Sequence, residues 1–224
     1  MLPRLPRRLQ RIDAALLPEH SRLVATDHCD FLWEYIPHRR ADWTAGNQFI
    51  RNLKLKHSQL VLRPSRLRYK RAAIAHAGRA LRRLLPPGLV REATFVPMPC
   101  SKARGGCDHD DRMVRVLRSA FAQEGADIRE LLHVQRSLAA DHESRVRCSP
   151  GRLRGTLCVG GAVRDAWDRP VGPEPRRIII LVDDVLNSGK HFRVASALLR
   201  QRWPDRQIRG LFLARCVRVG DRGA

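Results

Sequence analysis

The sequence predicts an α/β fold with a mainly parallel central sheet flanked by helices. Three segments carry that expectation. Residues 178–182 are five consecutive apolar residues, mostly β-branched, as suits a strand buried on both faces of a parallel sheet. Phe192, Ala195, Leu198 and Leu199 then recur at helical spacing. Residues 94–96 form a second short strand, followed by Met113, Val114, Leu117 and Phe121 at helical spacing, and residues 208–217 form a last apolar strand. Strand, helix and strand in succession is the pattern of a parallel sheet with crossover helices.

From the N-terminus, Leu5, Leu9, Ile12, Leu16 and Leu17 repeat at helical spacing and predict a first helix or a basic arm. Phe31, Trp33 and Tyr35 alternate, as in a short strand over 30–35. Residues 43–56 read as a turn leading into a helix with Phe49, Leu53 and Lys56 on one face. Residues 66–85 predict a long helix with Tyr69, Ala72, Ala73, Ala77, Ala80, Leu81 and Leu84 as its apolar stripe, ended by Pro86, Pro87 and Gly88. Asp110 or Asp111 can cap the helix that starts near Met113. Residues 128–135 and 157–162 read as further strands. Residues 137–151 show no period and read as a lid or an unstructured insert, and 164–175 as a Pro/Gly-rich connector. The expected organisation is an N-terminal helical region or hood over 1–88 and an α/β core over 89–224.

The chain has 224 residues, enough for one α/β domain with a substantial core. It carries 43 Lys and Arg against 22 Asp and Glu, a formal net charge of +21. Only five of the basic residues are lysine, so 38 are arginine. Such a balance favours polyanions, although arginine-rich composition alone can produce it, and the arginines are scattered along the chain. The six cysteines form no C-x-x-C pair and, without a secretory signal, read as reduced thiols of a cytoplasmic protein. Cys100, Cys107 and His109 suggest zinc, but a second close ligand pair is missing. No apolar run approaches the roughly 20 residues that span a bilayer.

The chemistry-bearing residues cluster after the two main strands. Asp183 and Asp184 leave the sheet at the carboxyl end of the 178–182 strand, where α/β proteins bind ligands. Two carboxylates only accept hydrogen bonds, which suits a hydroxyl-rich ligand or one carrying a metal. Asn187, Ser188, Gly189, Lys190 and His191 follow as a small polar turn before a helix, a place where backbone N–H groups hold an anion. After the 94–96 strand, Ser101, Lys102 and Arg104 lie in a loop with Gly105 and Gly106.

Residues 183–191 resemble the ribose-phosphate motif of type I phosphoribosyltransferases. Residues 96–104 resemble the pyrophosphate loop of that superfamily in its competence-type, amidophosphoribosyltransferase-like form. The resemblance covers about residues 93–217. It implies that Asp183 and Asp184 hold the ribose hydroxyls of phosphoribosyl pyrophosphate (PRPP), one of them accepting a proton. It also implies that 187–191 cradle the 5′-phosphate, and that Ser101, Lys102 and Arg104 meet the pyrophosphate. Arg136, His142 and Arg147, in the segment between the motifs, are candidates for closing over the pyrophosphate or the acceptor. Mg²⁺ is the implied cofactor, carried by the substrate or held by Asp183 and Asp184. The sequence departs from the family pattern where Asn187 and His191 replace hydroxyl residues, and where residues 107–111 replace an Arg-Gly-Phe-Asn-Gln continuation. The implied activity is transfer of a phosphoribosyl group to a nitrogen acceptor with release of pyrophosphate. The alternative is a regulator that senses PRPP or a nucleotide and binds DNA or RNA through a basic surface. A homodimer stays open.

Overall fold

The computed structural model describes residues 2–37, 44–106, 108–122, 124–135, 155–160, 163–165, 167, 169, 171–172 and 174–217. Six strands form one mixed sheet: β1 (Gln10–Arg11), β2 (His28–Tyr35), β8 (Gln207–Cys216), β7 (Ile178–Leu186), β3 (Ala93–Pro97) and β4 (Asp127–Ile128), in that spatial order. β1 is antiparallel to β2, and all other neighbours are parallel. A separate two-stranded antiparallel ladder joins β5 (Leu132–Val134) to β6 (Leu157–Val159).

The apolar run of β7 divides between two cores because successive side chains of a strand face opposite ways. Ile180 and Val182 join a layer with Phe49, Ile74, Leu81, Phe95, Leu117 and Phe121. Ile179 and Leu181 join the other layer, with Phe31, Phe192, Leu199 and Phe212. Helices α1 (Ala45–Leu53), α3 (Leu67–Leu84) and α5 (Arg112–Phe121) supply the first layer. Helix α6 (Lys190–Arg202) and the β5–β6 ladder supply the second. Each of these buried large side chains contributes about 1.5–3 kcal/mol from leaving water. Two short helices, α2 (His57–Leu62) and α4 (Pro87–Glu92), bracket α3. Among the described residues no helix is long and apolar enough to cross a membrane.

The first 88 residues are not only helical. They place β1 and β2 in the sheet, with β2 beside β8. The helix expected from Leu5 to Leu17 is absent. Pro3 and Pro6 cannot donate backbone hydrogen bonds, and Asp13 instead closes a turn, its Oδ1 accepting from the N–H groups of Ala15 and Leu16 at 3.1 Å. Leu2, Leu5 and Leu9 still reach the first core, but from an extended segment. Trp33, whose Nε1 donates to the Arg4 carbonyl at 2.9 Å, packs against Phe49 at 4.8 Å between ring centroids. It thus serves the core. Trp43, Arg39, Arg40, Cys107 and the 137–151 segment lie outside the described residues.

Candidate functional site

β3 and β7 are neighbours in parallel register, Pro97 beside Val182. The Met98 N–H donates to the Val182 carbonyl at 2.9 Å. The loop after β3 therefore leaves the sheet at the level where β7 presents Asp183 and Asp184. β7 itself continues through both acids to Leu186, because β8 still pairs with it there.

The two acids lie on different sides and meet different surroundings. Asp184 is buried, 4% exposed. Its Oδ1 receives Lys54 Nζ at 2.9 Å, and its Oδ2 receives Arg112 Nε at 2.7 Å. Arg112 Nη1 also reaches Asp110 Oδ2 at 3.0 Å. Asp110 Oδ2 in turn receives Lys70 Nζ at 2.8 Å, and the same ammonium donates to the Leu55 carbonyl at 2.6 Å. The result is an alternating chain, Lys54–Asp184–Arg112–Asp110–Lys70, that ties β7 to the end of α1, the start of α5 and the N-terminal part of α3. Burial resists ionisation of Asp184, but Arg112 and Lys54 outweigh it and hold the carboxyl well below the usual carboxylate range. Burial opposes the charge on Arg112 as well, and Asp184 and Asp110 more than restore it. Lys70 is pushed down by burial and only partly restored by Asp110.

Asp183 behaves oppositely. Its Oδ1 accepts from the Asp184 N–H at 2.7 Å. Burial first, and the neighbouring Asp184 charge second, push its carboxyl above the ordinary value, with His191 and Lys54 pulling the other way. Of the pair, Asp184 stays ionised and Asp183 takes a proton more readily.

The turn after β7 is held from outside. Gly189 has φ of +83°, a left-handed conformation that glycine adopts without strain. A Cβ there would stand 2.5 Å from Leu23 Cδ2. The Arg22 N–H donates to the Ser188 carbonyl at 2.8 Å, and His20 Nδ1 bonds the Asn187 carbonyl. Asn187 and His191 are exposed, Ser188 and Lys190 half-buried, and Lys190 is the first residue of α6. Residues 20–23 thus form one wall of the turn. That segment is anchored in turn by Asp27, whose carboxylate takes the Val24 N–H at 3.0 Å and Arg193 Nη1 at 3.1 Å.

The loop carrying Ser101, Lys102 and Arg104 folds around Cys100 and His109. The Cys100 thiol donates to the Lys102 carbonyl at 3.3 Å and accepts from the Asp110 N–H at 3.3 Å, and His109 Nδ1 lies 3.2 Å from the same carbonyl. Ser101 and Lys102 are half-buried, and Arg104 is exposed with Nη2 3.3 Å from Glu130 Oε1. Asp108 takes the Ser58 N–H and hydroxyl at 3.0 and 3.1 Å, and these bonds lower its carboxyl. Of the two capping candidates, Asp110 bonds the Arg112 N–H at 3.2 Å, while Asp111 makes no side-chain cap.

The structure therefore brings Asp183, Asp184, Ser101, Lys102, Arg104 and the 187–191 turn to one edge of the sheet. Arg136, His142 and Arg147 lie outside the described residues. No sequence signal marks Lys54, Lys70, Arg112 or the 20–23 wall as part of this edge. They come from segments outside both motifs, and no spacing rule links them. Among the described residues no three His, Cys, Asp or Glu side chains converge as a metal cage requires. Asp184, with both oxygens facing cations, is a poor direct metal ligand. No protein-family model and no curated protein matches this chain.

Proposed function

We propose that this protein binds PRPP at the carboxyl edge of β3 and β7 and transfers the phosphoribosyl group to a nitrogen acceptor. The observation that carries the reading is the adjacency of two neighbouring parallel strands at their carboxyl ends, β7 bearing the acid pair and the loop after β3 bearing Ser101 and Lys102. The pair is electrostatically split, which gives the two carboxyls different work. Asp183 is the group suited to a ribose hydroxyl and to accepting a proton, since its carboxyl sits above the ordinary value. Asp184 keeps Arg112 and Lys54 in place. Those two cations, with Lys102, suit a pyrophosphate that gains charge as it leaves. In the reaction the bond from the anomeric carbon to the pyrophosphate oxygen breaks and its electron pair departs with pyrophosphate. The acceptor nitrogen then forms the new bond to that carbon and gives up its proton. Residues 187–191 are the 5′-phosphate cradle in this reading, with the 20–23 segment as its outer wall. Mg²⁺ belongs to it as an ion carried in on the pyrophosphate.

The burial of Asp184 decides the experiment. Changing both acids to Asn would leave Arg112 and Lys54 facing a neutral partner and would confuse binding with folding. Asp183→Asn keeps the Oδ1 acceptor for the Asp184 N–H and is the clean variant. Titration calorimetry with PRPP and Mg²⁺ is expected to show at least a tenfold loss of affinity in Asp183→Asn. Undiminished binding would sink the assignment. Pyrophosphate release measured over a panel of nucleobases and amines identifies the acceptor.

A further inference from the structure

Helix α3 has a feature that the sugar-phosphate site does not use. Its inner face is fully committed: Ala73, Ile74, Ala77, Ala80 and Leu81 are buried in the first core. Its outer face presents Arg68, Arg71, Arg79, Arg82 and Arg83, all exposed. At about 100° per residue these five fall within one stripe, and from 68 to 83 the stripe runs about 22 Å. The helix itself carries no acid, and near its C-terminal end Glu124 Oε1 lies 3.7 Å from Arg82 Nε. Residues 43–91 contain twelve Lys and Arg and no Asp or Glu, whereas the whole chain has 22 acids. Helix α5, which packs against α3, also has no acid. Five arginines that are separated in the sequence are therefore brought to one face by the helix.

The stripe is pinned rather than loose at two points. Arg82 donates Nε to the Ala120 carbonyl and Nη2 to the Ser119 carbonyl, both at 2.7 Å, across to the end of α5. Arg68 lies over the Tyr69 ring at 4.8 Å. Arg71, Arg79 and Arg83 form no ion pair among the described residues. At the C-terminal end of α3 the stripe opens onto a groove of about 730 Å³ lined by Arg82, Arg83 and Arg91 with Pro86 and Pro87, and by one acid, Glu124.

We propose that this outer face of α3 is a nucleic-acid-binding surface that grips the phosphate backbone. Guanidinium forks match phosphate oxygens in a bidentate way. The stripe's length equals about six base-pair rises along a duplex. Asn and Gln are absent from α3, and Ala72 and Ala75 stand between the arginines. The contacts therefore favour backbone over base edges, and the binding is largely independent of sequence. A lipid surface fits less well, because the apolar face that would enter a membrane interface is already buried in the core. None of the residues assigned to the sugar-phosphate site takes part, so either assignment can fail without the other.

The test uses the full chain and a fluorescein-labelled, mixed-sequence DNA duplex of about two helical turns, followed by anisotropy over a salt series. Two double variants of equal charge are compared, Arg71→Gln with Arg79→Gln on the stripe, and Arg177→Gln with Arg200→Gln at exposed positions off α3. The wild type is expected to show a log–log salt slope between about −3 and −5. The stripe variant is expected to lose about 2 from the magnitude of that slope and roughly tenfold or more in affinity at moderate salt. The off-stripe variant should keep the wild-type slope, and both variants should keep the wild-type circular dichroism and PRPP titration. Equal losses in the two variants, no loss in the stripe variant, or tighter binding to phosphatidylserine vesicles than to duplex would each overturn the proposal.

Discussion

Replacing Arg112 by Met tests whether the charge chain beneath the site is a structural unit. The side chain is 17% exposed and bridges two carboxylates that are 6% and 10% exposed. Removing one partner of a buried pair typically costs about 3–5 kcal/mol, because the other charge stays behind. Asp184 keeps Lys54 and Asp110 keeps Lys70, so the lower end, about 3 kcal/mol, is expected. In a chain of this size each kcal/mol moves Tm by about 2–4 °C, which gives a drop of about 6–12 °C at neutral pH. The pH dependence gives an independent check. Asp184 has a folded value depressed below its unfolded one, so in the wild type it contributes stability above the unfolded value of 3.8, lost as pH falls through the depressed folded value. Without Arg112 the depression shrinks, so Asp184 of the variant takes its proton at a higher pH than in the wild type but still below 3.8. The deficit of Arg112→Met should therefore be widest near neutral pH and narrow only below 3.8, as read by thermal melts monitored by circular dichroism. A Tm within about 2 °C of wild type at neutral pH, or a deficit that widens on acidification, would refute the role assigned to Asp184.

Asp183, Gly189 and His76 give three more outcomes. Asp183 has a folded value raised by burial and by Asp184, so its contribution to stability is present below the unfolded value of 3.8 and lost as pH rises through the folded one. Asp183→Asn should thus melt higher than wild type at neutral pH and not in acid, even as PRPP binding fails; equal melting at both pH values would contradict this. Gly189→Ala forces a side chain into a left-handed conformation and against Leu23, and should cost about 1–3 kcal/mol from the backbone alone. Pairing it with Leu23→Ala should recover the steric part but not the backbone part in denaturant melts. His76, 6% exposed and stacked on Trp33 at 5.4 Å, is pushed below its ordinary value of 6.5 by burial. Its contribution is present above 6.5 and lost as pH falls through the folded value, so His76→Phe should flatten the fall in Tm between about pH 7 and pH 5.

Much of the sheet is legible in the residues themselves. The run at 178–182, the strand at 94–96 and the last strand are apolar in a way that only a doubly covered sheet requires, and they form β7, β3 and β8. The long helix at 66–85 is equally clear from its period. The N-terminus misleads because Leu5 to Leu17 keeps helical spacing while prolines interrupt the backbone, and the same leucines pack just as well from an extended chain. β2 alternates over a short stretch only, so its place beside β8 cannot be read from its own residues. The charge chain is invisible for a different reason. Lys54 and Asp184 meet only because α1 and β7 reach the same edge, and a pair that far apart in the chain leaves no local pattern. The +21 charge is plain, but the stripe on α3 emerges only when the helix turns five separated arginines to one side.

The two outermost strands of the sheet, Gln10–Arg11 and Asp127–Ile128, are each only two residues long. The central ribbons β8 and β7 are flanked on both sides, whereas β1 pairs with β2 only at Asp30 and Phe31. A strand added from another chain would therefore find only short runs of rim to pair with among the described residues.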